Sequence, residues 1–272
     1  MKLADVLTVL DDLAPLRYAE SWDNVGLLVG NPAADVAKVL VTVDYTADVA
    51  AEAVAGGVDL VVAYHPPLFA AVKRVPHSAL WADAIRRGIA LYSPHTALDV
   101  AREGTNDFLA DACRISASDR APLRPFSGAP GAAAAGAAGT AEPQGIGLGR
   151  VGAVSATRRS ELIAHLKTEL GLAYLLVAGP VDVPVARVAV AAGAGGELLE
   201  DAVRAGAEVF VTGEVRHHDA LSAARRGVTV VATLHSNSER AAVRAYAARL
   251  GSRLGDVTVV TSTADADPFV VV

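Results

Sequence analysis

The chain has 272 residues, 52% of them hydrophobic, so it can bury a core for one large domain or two lobes. Its net charge of −6 and its lack of a basic tract argue against direct nucleic-acid binding, which needs clustered lysine and arginine. The single cysteine, Cys113, excludes internal disulfides and thiolate metal clusters, so any metal site must be built from histidine and carboxylate ligands.

The first predicted element is a helix at residues 1–13, where apolar side chains recur at helical spacing between aspartates. This pattern is typical of an amphipathic helix and not of a secretory leader. No stretch of the sequence is long and apolar enough for a membrane span. We therefore expect a cytoplasmic protein without membrane contacts.

Short apolar runs then alternate with helical segments, which predicts an α/β fold. The predicted strands cover residues 38–44, 60–64, 89–93, 150–154, 174–178, 188–192, 209–212, 228–233 and 257–261. The predicted helices cover residues 47–55, 78–87, 106–113 with Asn106 as the cap, 160–170, 198–205, 219–226 and a segment that ends near residue 250.

Residues 117–148 divide the chain. They contain prolines, glycines and the run S-G-A-P-G-A-A-A-A-G-A-A-G-T, which is too small and featureless to form a core. We expect a flexible loop or disordered linker here. It separates an N-terminal α/β lobe at 1–116 from a C-terminal α/β lobe at 149–272.

Residues 21–30, S-W-D-N-V-G-L-L-V-G, combine a large aromatic side chain, two turn formers and two glycines ahead of an apolar run. The segment is either a loop that packs Trp22 or a loop that contributes to a site. Its composition favours the packed tryptophan.

Histidines follow three predicted strands, as His65, His95 and His235, and a stiff proline pair comes directly after the first of them. In an open α/β sheet, ligands bind at the carboxyl ends of the strands. These imidazoles can therefore converge on one small object, and a divalent metal ion is the natural candidate.

An internal repeat supports convergence, because the order strand, helix, Arg-Arg-Gly, strand, His-x-x-x-acid occurs twice. Two lobes related by a pseudo-twofold axis would bring the strand ends face to face and form a metal site between them. The groups at these strand ends are His65, His95, Asp99, Glu214, His235 and Glu239.

Such a site offers up to three imidazoles and three carboxylates, a set that suits Fe, Mn, Zn, Co or Ni better than a structural zinc. Bridging carboxylates commonly hold two ions about 3.5–4 Å apart, so one or two ions per chain are expected. A metal pair generates hydroxide and polarises a carbonyl, phosphoryl or imine carbon. The predicted chemistry is hydrolytic.

Several residues allow a second interpretation. A histidine at a strand end often bonds to a carbonyl group, although matched positions favour ligands here. His217 and His218 are expected at the solvated start of a helix. Glu214 fits a catalytic acid/base or a salt bridge equally well. Residues 193–196, G-A-G-G, are a candidate phosphate cradle that lacks the full dinucleotide spacing and a Walker lysine.

At these motifs the chain resembles the NIF3 family of dinuclear metal-centre proteins, also known as GTP cyclohydrolase 1 type 2 homologues. The resemblance covers nearly the whole chain. It rests on S-W-D-N-V-G-L-L-V-G at 21–30, Y-H-P-P-L-F at 64–69, S-P-H-T-A-L-D at 93–99, G-T-N at 104–106, V-T-G-E at 211–214 and H-S-N-S-E-R at 235–240. It implies the NIF3-like fold, with metals held by position 64, His65, Asp99, His235 and Glu239.

One position departs from the family pattern, because Tyr64 replaces the first of the paired histidines. A neutral phenol is a poor ligand for these ions, so one of two metals is expected to bind weakly or be absent. His95 becomes a candidate either for a residue that orients the metal ligands or for a metal ligand in place of position 64. The domain that larger members insert between the lobes is not expected here.

The resemblance also implies a homo-oligomer, a hexamer in this family, and a small-molecule substrate such as a nucleotide. Our first hypothesis is a metal-dependent hydrolase with Glu214 or His95 as proton relay, acting on a nucleotide-like or small heterocyclic substrate. The alternative is a regulatory or metal-chaperone protein that binds its ion without turnover.

Overall fold

The computed structural model describes residues 1–127 and 145–272, and these form two compact units. One comprises Met1–Leu98 with Val243–Val272, and the other comprises Asp99–Ala242. These bounds differ from the lobes expected at 1–116 and 149–272. The C-terminal segment belongs to the first unit because its strand pairs in parallel with a strand near the N-terminus, which chain order alone does not reveal.

Helices and strands alternate along the described chain, which confirms the α/β fold class. The helices are α1 (Leu3–Leu13), α2 (Ala47–Ala55), α3 (Leu80–Arg87), α4 (His95–Val100), α5 (Thr105–Ala112), α6 (Arg159–Leu170), α7 (Leu199–Arg204), α8 (His217–Arg225) and α9 (Arg240–Leu254). The strands are β1 (Gly26–Val29), β2 (Lys38–Thr42), β3 (Leu60–Ala63), β4 (Ala90–Ser93), β5 (Arg124–Pro125), β6 (Gly147–Leu148), β7 (Arg150–Arg158), β8 (Leu176–Ala178), β9 (Pro184–Ala191), β10 (Val209–Thr212), β11 (Thr229–Ala232) and β12 (Thr258–Thr261).

The first unit contains a five-stranded sheet in the order β1-β4-β3-β2-β12. The strands from β4 to β12 in this order run parallel, and β1 pairs antiparallel with β4 at one edge. Strands β3 and β4 are buried along their whole length, as expected for parallel strands covered on both faces. Apolar side chains of α2 and α3 pack against Val61 and Leu91 in this core.

The second unit contains a five-stranded sheet in the order β7-β9-β10-β11-β8. Its three central strands run parallel and both edge strands run antiparallel to their neighbours. One core cluster includes Leu162 and Leu166 of α6, and another includes Leu199 of α7 and Phe210 of β10.

Three parallel strands followed by an antiparallel edge strand occur in the same order in both sheets, as β2-β3-β4-β1 and as β9-β10-β11-β8. The repeat in the sequence is therefore a repeat of strand topology within each unit. The pseudo-twofold relation between the predicted lobes stays a prediction.

The predicted linker is paired at its flanks, because β5 and β6 form an antiparallel ribbon. Residues 128–144 of that linker lie outside the described residues. Within the described ranges, no helix combines the length and the apolar character that crossing a membrane requires.

Glu52 on α2 fastens the C-terminal segment of the first unit. Its carboxylate accepts hydrogen bonds from the Ser262 and Thr263 hydroxyls and from the backbone N–H groups of Thr263 and Ala264. Burial raises the pKa of Glu52, but these bonds outweigh it and lower the pKa from 4.5 to about 2. Because folding lowers this pKa, the stabilisation is complete above pH 4.5 and is lost as the pH falls towards 2.

We expect Glu52→Gln to lower the free energy of unfolding by about 1–2 kcal/mol near pH 7, because an amide replaces an anionic acceptor of several hydrogen bonds. The difference from wild type should shrink as the pH falls from 4.5 towards 2. Urea titrations at about pH 7 and pH 3 measure it. Glu197→Gln, whose carboxylate is 69% exposed, is the control and should change little. A difference for Glu52→Gln that is undiminished at the lower pH would contradict the assignment.

Candidate metal centre

His65 lies two residues beyond the end of β3, and the proline pair follows it. Its Nδ1 lies 2.9 Å from Oδ1 of Asp44, which follows the neighbouring strand β2. When the carboxylate accepts from Nδ1–H, the lone pair of the neutral ring is on Nε2. A carboxylate behind one ring nitrogen is the usual support of a histidine that binds metal through the other. The 22% exposure of the His65 side chain keeps it within reach of solvent.

His95 begins α4 with a φ of +29°, a left-handed conformation that residues other than glycine seldom adopt. Its Nδ1 lies 2.8 Å from Oδ1 of the fully buried Asp23 carboxylate, which also accepts from the backbone N–H and the hydroxyl of Thr96. Burial raises the pKa of Asp23, but the hydrogen bonds from His95 and Thr96 outweigh it and lower the pKa below its usual value. Asp23 therefore stays ionised and orients the His95 ring.

The first unit brings the two imidazoles together. The ring centroids of His65 and His95 are 5.4 Å apart with planes at 81°. The ring of Tyr64 lies 5.0 Å from His65 and 5.7 Å from His95, and Tyr64 is only 2% exposed. Tyr64, at the position where the family resemblance implies a histidine, is thus a buried ring that packs against both imidazoles.

In the second unit, His235 lies between two carboxylates. Its Nδ1 is 3.0 Å from Oε1 of Glu214, which follows β10, and its Nε2 is 3.2 Å from Oε1 of Glu239. The 3-10 turn Ser236–Ser238 between β11 and α9 joins His235 to Glu239, so the predicted His-x-x-x-acid segment brings both side chains to one place. The Glu239 side chain is 2% exposed, whereas that of Glu214 is 57% exposed.

Gly193, two residues beyond β9, makes room for this pair. A Cβ at Gly193 would lie 2.5 Å from Oε1 of Glu239 and 3.3 Å from Nε2 of His235. The Gly193 N–H donates to Oγ of Ser238 at 2.7 Å, and Ser238 Oγ donates to the carbonyl of His235 at 2.6 Å. The segment that sequence suggested as a phosphate cradle therefore contacts a carboxylate and an imidazole of the same chain.

The same support occurs in both units. Asp44 precedes His65 by 21 positions, Glu214 precedes His235 by 21 positions, and each acid follows the strand adjacent to the strand of its histidine. Sequence reasoning missed Asp44 and Asp23, although an acid at a strand end with an equal spacing in both halves was a usable signal. Glu214, considered as a proton relay or a salt-bridge partner, contacts Nδ1 of His235, and its role as a relay stays a prediction.

Asp99 lies on α4, and its backbone carbonyl accepts from Nδ2 of Asn106 at 3.0 Å. Oδ1 of Asn106 accepts from the N–H of Ala192 at 2.9 Å, next to Gly193. The prediction that Asn106 caps α5 is wrong, because Gly104 occupies the cap position. Asn106 is instead a buried link between the backbone at Asp99 and the end of β9. The ligand role of Asp99 stays a prediction.

The residues of the second unit fit a divalent ion. Burying the Glu239 carboxylate is unfavourable unless a cation or several donors compensate its charge. The nitrogen and oxygen donors, without any thiolate, suit the first-row metals. His235 and Glu239 could therefore share a metal ion.

Two other predictions have definite outcomes. Trp22 is 60% exposed, so the interpretation of residues 21–30 as a loop with a packed tryptophan is wrong. His217 and His218 are exposed at the start of α8, as predicted, with ring centroids 5.2 Å apart.

Comparisons with known proteins agree with these motifs. Residues 1–268 match the family model described as Duf34/NIF3 (NGG1p interacting factor 3). NIF3-like protein 1 of Drosophila melanogaster is 33% identical over 280 residues, covering 100% of this chain and 89% of that protein. A GTP cyclohydrolase 1 type 2 homolog of Clostridium perfringens is 29% identical over 280 residues, covering 99% of each.

Solved structures show the same fold. Staphylococcus aureus protein SA1388 superposes with a TM-score of 0.85 and 27% identity, covering 100% of this chain and 99% of that one. Reduced HcgD from Methanocaldococcus jannaschii superposes with a TM-score of 0.79 and 25% identity, covering 96% and 97%.

Proposed function

Because the chain belongs to the Duf34/NIF3 family, we propose that it is a metal-dependent hydrolase acting on a nucleotide-like or other small heterocyclic substrate. Relatives named GTP cyclohydrolase 1 type 2 homolog support this substrate class. The observation that carries the proposal is the pair of contacts made by His235. Each of its ring nitrogens contacts a carboxylate, and one of these carboxylates, that of Glu239, is buried. This arrangement orients an imidazole and an acid for one ion.

The proposed ligands are imidazole nitrogens and carboxylate oxygens. His65, His235 and Glu239 together offer two imidazoles and one carboxylate, a set that could hold a metal ion. The family resemblance adds Asp99. Since Tyr64 replaces a further family ligand, one ion should bind more tightly than a second. Fe, Mn, Zn, Co and Ni all suit these donors.

The neighbouring acids keep the proposed ligands oriented. When bound, the ion would lower the pKa of a coordinated water and polarise the substrate. Asp44 and Glu214 hold Nδ1 of His65 and His235, which fixes the tautomer and the ring angle. Asp23 holds His95 in the same way, close to His65, and we assign proton transfer to His95. Glu214 is the second candidate, because its 57% exposure lets it exchange protons with solvent.

A second candidate function needs no turnover. The side chains of His65 and His235 are 22% and 35% exposed, so a bound ion would be accessible to a partner protein. This exposure favours a metal-binding regulatory or metal-chaperone protein as the alternative.

We expect His235→Ala to weaken metal binding by more than about 100-fold, beyond the 10–100-fold typical of a residue that only supports a ligand. Turnover should be lost with the metal. The measurement is elemental analysis of protein reconstituted with Mn, Fe or Zn, followed by a GTP ring-opening assay. His77→Ala removes an exposed histidine from a loop and should leave both values unchanged.

The outcomes separate the two functions. Tight metal binding without turnover across a nucleotide panel favours the chaperone or regulator. Equal metal content in wild type and His235→Ala would exclude both.

We also propose that the chain forms a homo-oligomer, a hexamer by family resemblance. Exposed apolar side chains on and before β8 support an interface, because Tyr174, Leu176 and Val177 are 64%, 63% and 40% exposed. Light scattering after size exclusion tests this proposal, and a monomer at micromolar concentration would contradict it.

A further inference from the structure

Trp22 and Phe69 form an exposed aromatic pair in the first unit, which we call the aromatic notch. Trp22 is 60% exposed and Phe69 is 53% exposed. Their ring centroids are 6.1 Å apart and their planes are tilted by 53°. Large rings left in solvent bury little area and add little to stability, so two of them side by side indicate a binding role.

The backbone around each ring is fastened by side-chain hydrogen bonds. Asn24 Nδ2 donates to the carbonyl of Leu68 at 2.5 Å and joins the Trp22 loop to the Phe69 loop. Asp23 anchors the Trp22 loop to the start of α4 through its bonds with His95 and Thr96. The rings are therefore exposed on a fixed backbone, and a ligand need not order them.

The notch borders the imidazoles assigned to the metal centre. The Trp22 ring lies 6.1 Å from that of His95 in an edge-on arrangement at 78°. His95 in turn lies 5.4 Å from His65. A molecule against the indole face can thus meet an imidazole at its edge.

We propose that the aromatic notch binds a flat heteroaromatic ring, such as a purine, by stacking. That this ring belongs to the substrate rests on the proposed function. The indole and the phenyl supply faces for stacking, and the His95 imidazole supplies a polar partner for a ring nitrogen or oxygen atom at the edge. An aliphatic chain would use neither the flat faces nor the polar edge. Stacking tolerates many ring types, so any soluble purine nucleoside is an adequate probe.

Fluorescence tests the proposal directly. The chain has two tryptophans, so Trp81→Phe leaves Trp22 as the sole indole. Inosine is titrated into this variant in EDTA, with ribose as the matched compound that lacks a ring. We expect inosine to quench Trp22 emission with saturation and ribose to leave it unchanged.

A second substitution tests the partner ring. Phe69→Leu, made in the same background, keeps apolar bulk but removes the aromatic face, and it should weaken inosine binding about tenfold. Phe269→Leu makes the same change at a residue that is 69% exposed outside the notch, and it should leave binding unchanged. Circular dichroism verifies that both variants are folded.

Four results would overturn the proposal: no quenching by inosine, equal quenching by ribose, equal weakening by Phe269→Leu, or Trp22 emission that changes with protein concentration alone. The last result would mean that a second copy covers the notch. Because EDTA removes metal, quenching without metal binding or turnover in wild type leaves the notch in place and rejects the hydrolase. Turnover by wild type without quenching by inosine would reject the notch as a binding site and leave the hydrolase proposal in place.

Discussion

Gly193→Ala is expected to weaken metal binding by at least about 100-fold and to abolish turnover with it, while the fold remains intact. The added Cβ would lie 2.5 Å from Oε1 of Glu239, closer than such atoms can approach, and 3.3 Å from Nε2 of His235. Because the Glu239 side chain is only 2% exposed, its carboxylate cannot move aside into open solvent. The proposed ligand pair must therefore separate or change its orientation.

The matched control is Gly227→Ala. Gly193 and Gly227 have φ values of +61° and +77°, so each substitution carries a similar backbone cost of about 1–2 kcal/mol. Nothing lies within 4 Å of a Cβ at Gly227, so this variant isolates the backbone effect. Competition with a chromogenic chelator measures metal affinity, and thermal melting measures stability. Equal losses of metal affinity in both variants would show that the clash between a Cβ at position 193 and Glu239 is not the cause. Wild-type affinity in Gly193→Ala would mean that the ion binds elsewhere.

Features that are local in the chain could be predicted from the sequence. His235 and Glu239 are four positions apart across a strand end and a short turn, so their contact depends on local geometry alone. The buried parallel strands are uninterrupted apolar runs, and the repeated order of strand and helix appears in both sheets. The α/β class and the strand-end histidines follow from these patterns.

Contacts between distant segments could not be predicted. Asp23 reaches His95 across 72 positions, and nothing in either local pattern specifies that pairing. The bounds of the two compact units escaped prediction for the same reason, because β12 joins the first sheet by pairing with β2. The exposure of Trp22 could not be predicted either. Tryptophan is highly buried on average, and the exposure of this side chain depends on how distant segments hold its loop.

Arg150 shows the same limit most clearly, because the sequence places it only at the start of a strand. It is 1% exposed, among the largest fully buried side chains described, and it is paired with Asp107 of α5. Nε and Nη2 donate to the two carboxylate oxygens at 2.7 and 3.2 Å. The guanidinium also donates to the backbone carbonyls of Val100, Ala101, Gly147 and Gly149.

Asp107→Ala is expected to lower the free energy of unfolding by about 3–5 kcal/mol, because it leaves a buried cation without its counter-charge. Burial raises the pKa of Asp107, but Arg150, the backbone N–H of Glu103 and the charge of Arg120 together outweigh it and lower the pKa, so the carboxylate is charged in the folded state. Arg120 Nη1 also donates to Oδ1 at 3.3 Å, so the substitution removes the partner of two arginines. Urea unfolding of the whole chain measures the loss.

Asp111→Ala is the control on the same helix. Its carboxylate pairs with Arg120 but is 69% exposed, so its removal should cost less than about 1 kcal/mol. The double substitution Asp107→Leu with Arg150→Met should recover much of the lost stability, because it removes both buried charges and keeps apolar volume. Backbone carbonyls can satisfy the N–H groups of Arg150 but carry no net charge. If Asp107→Ala proved no more destabilising than Asp111→Ala, those carbonyls would suffice, and the buried carboxylate would not be needed to hold α5 against β7.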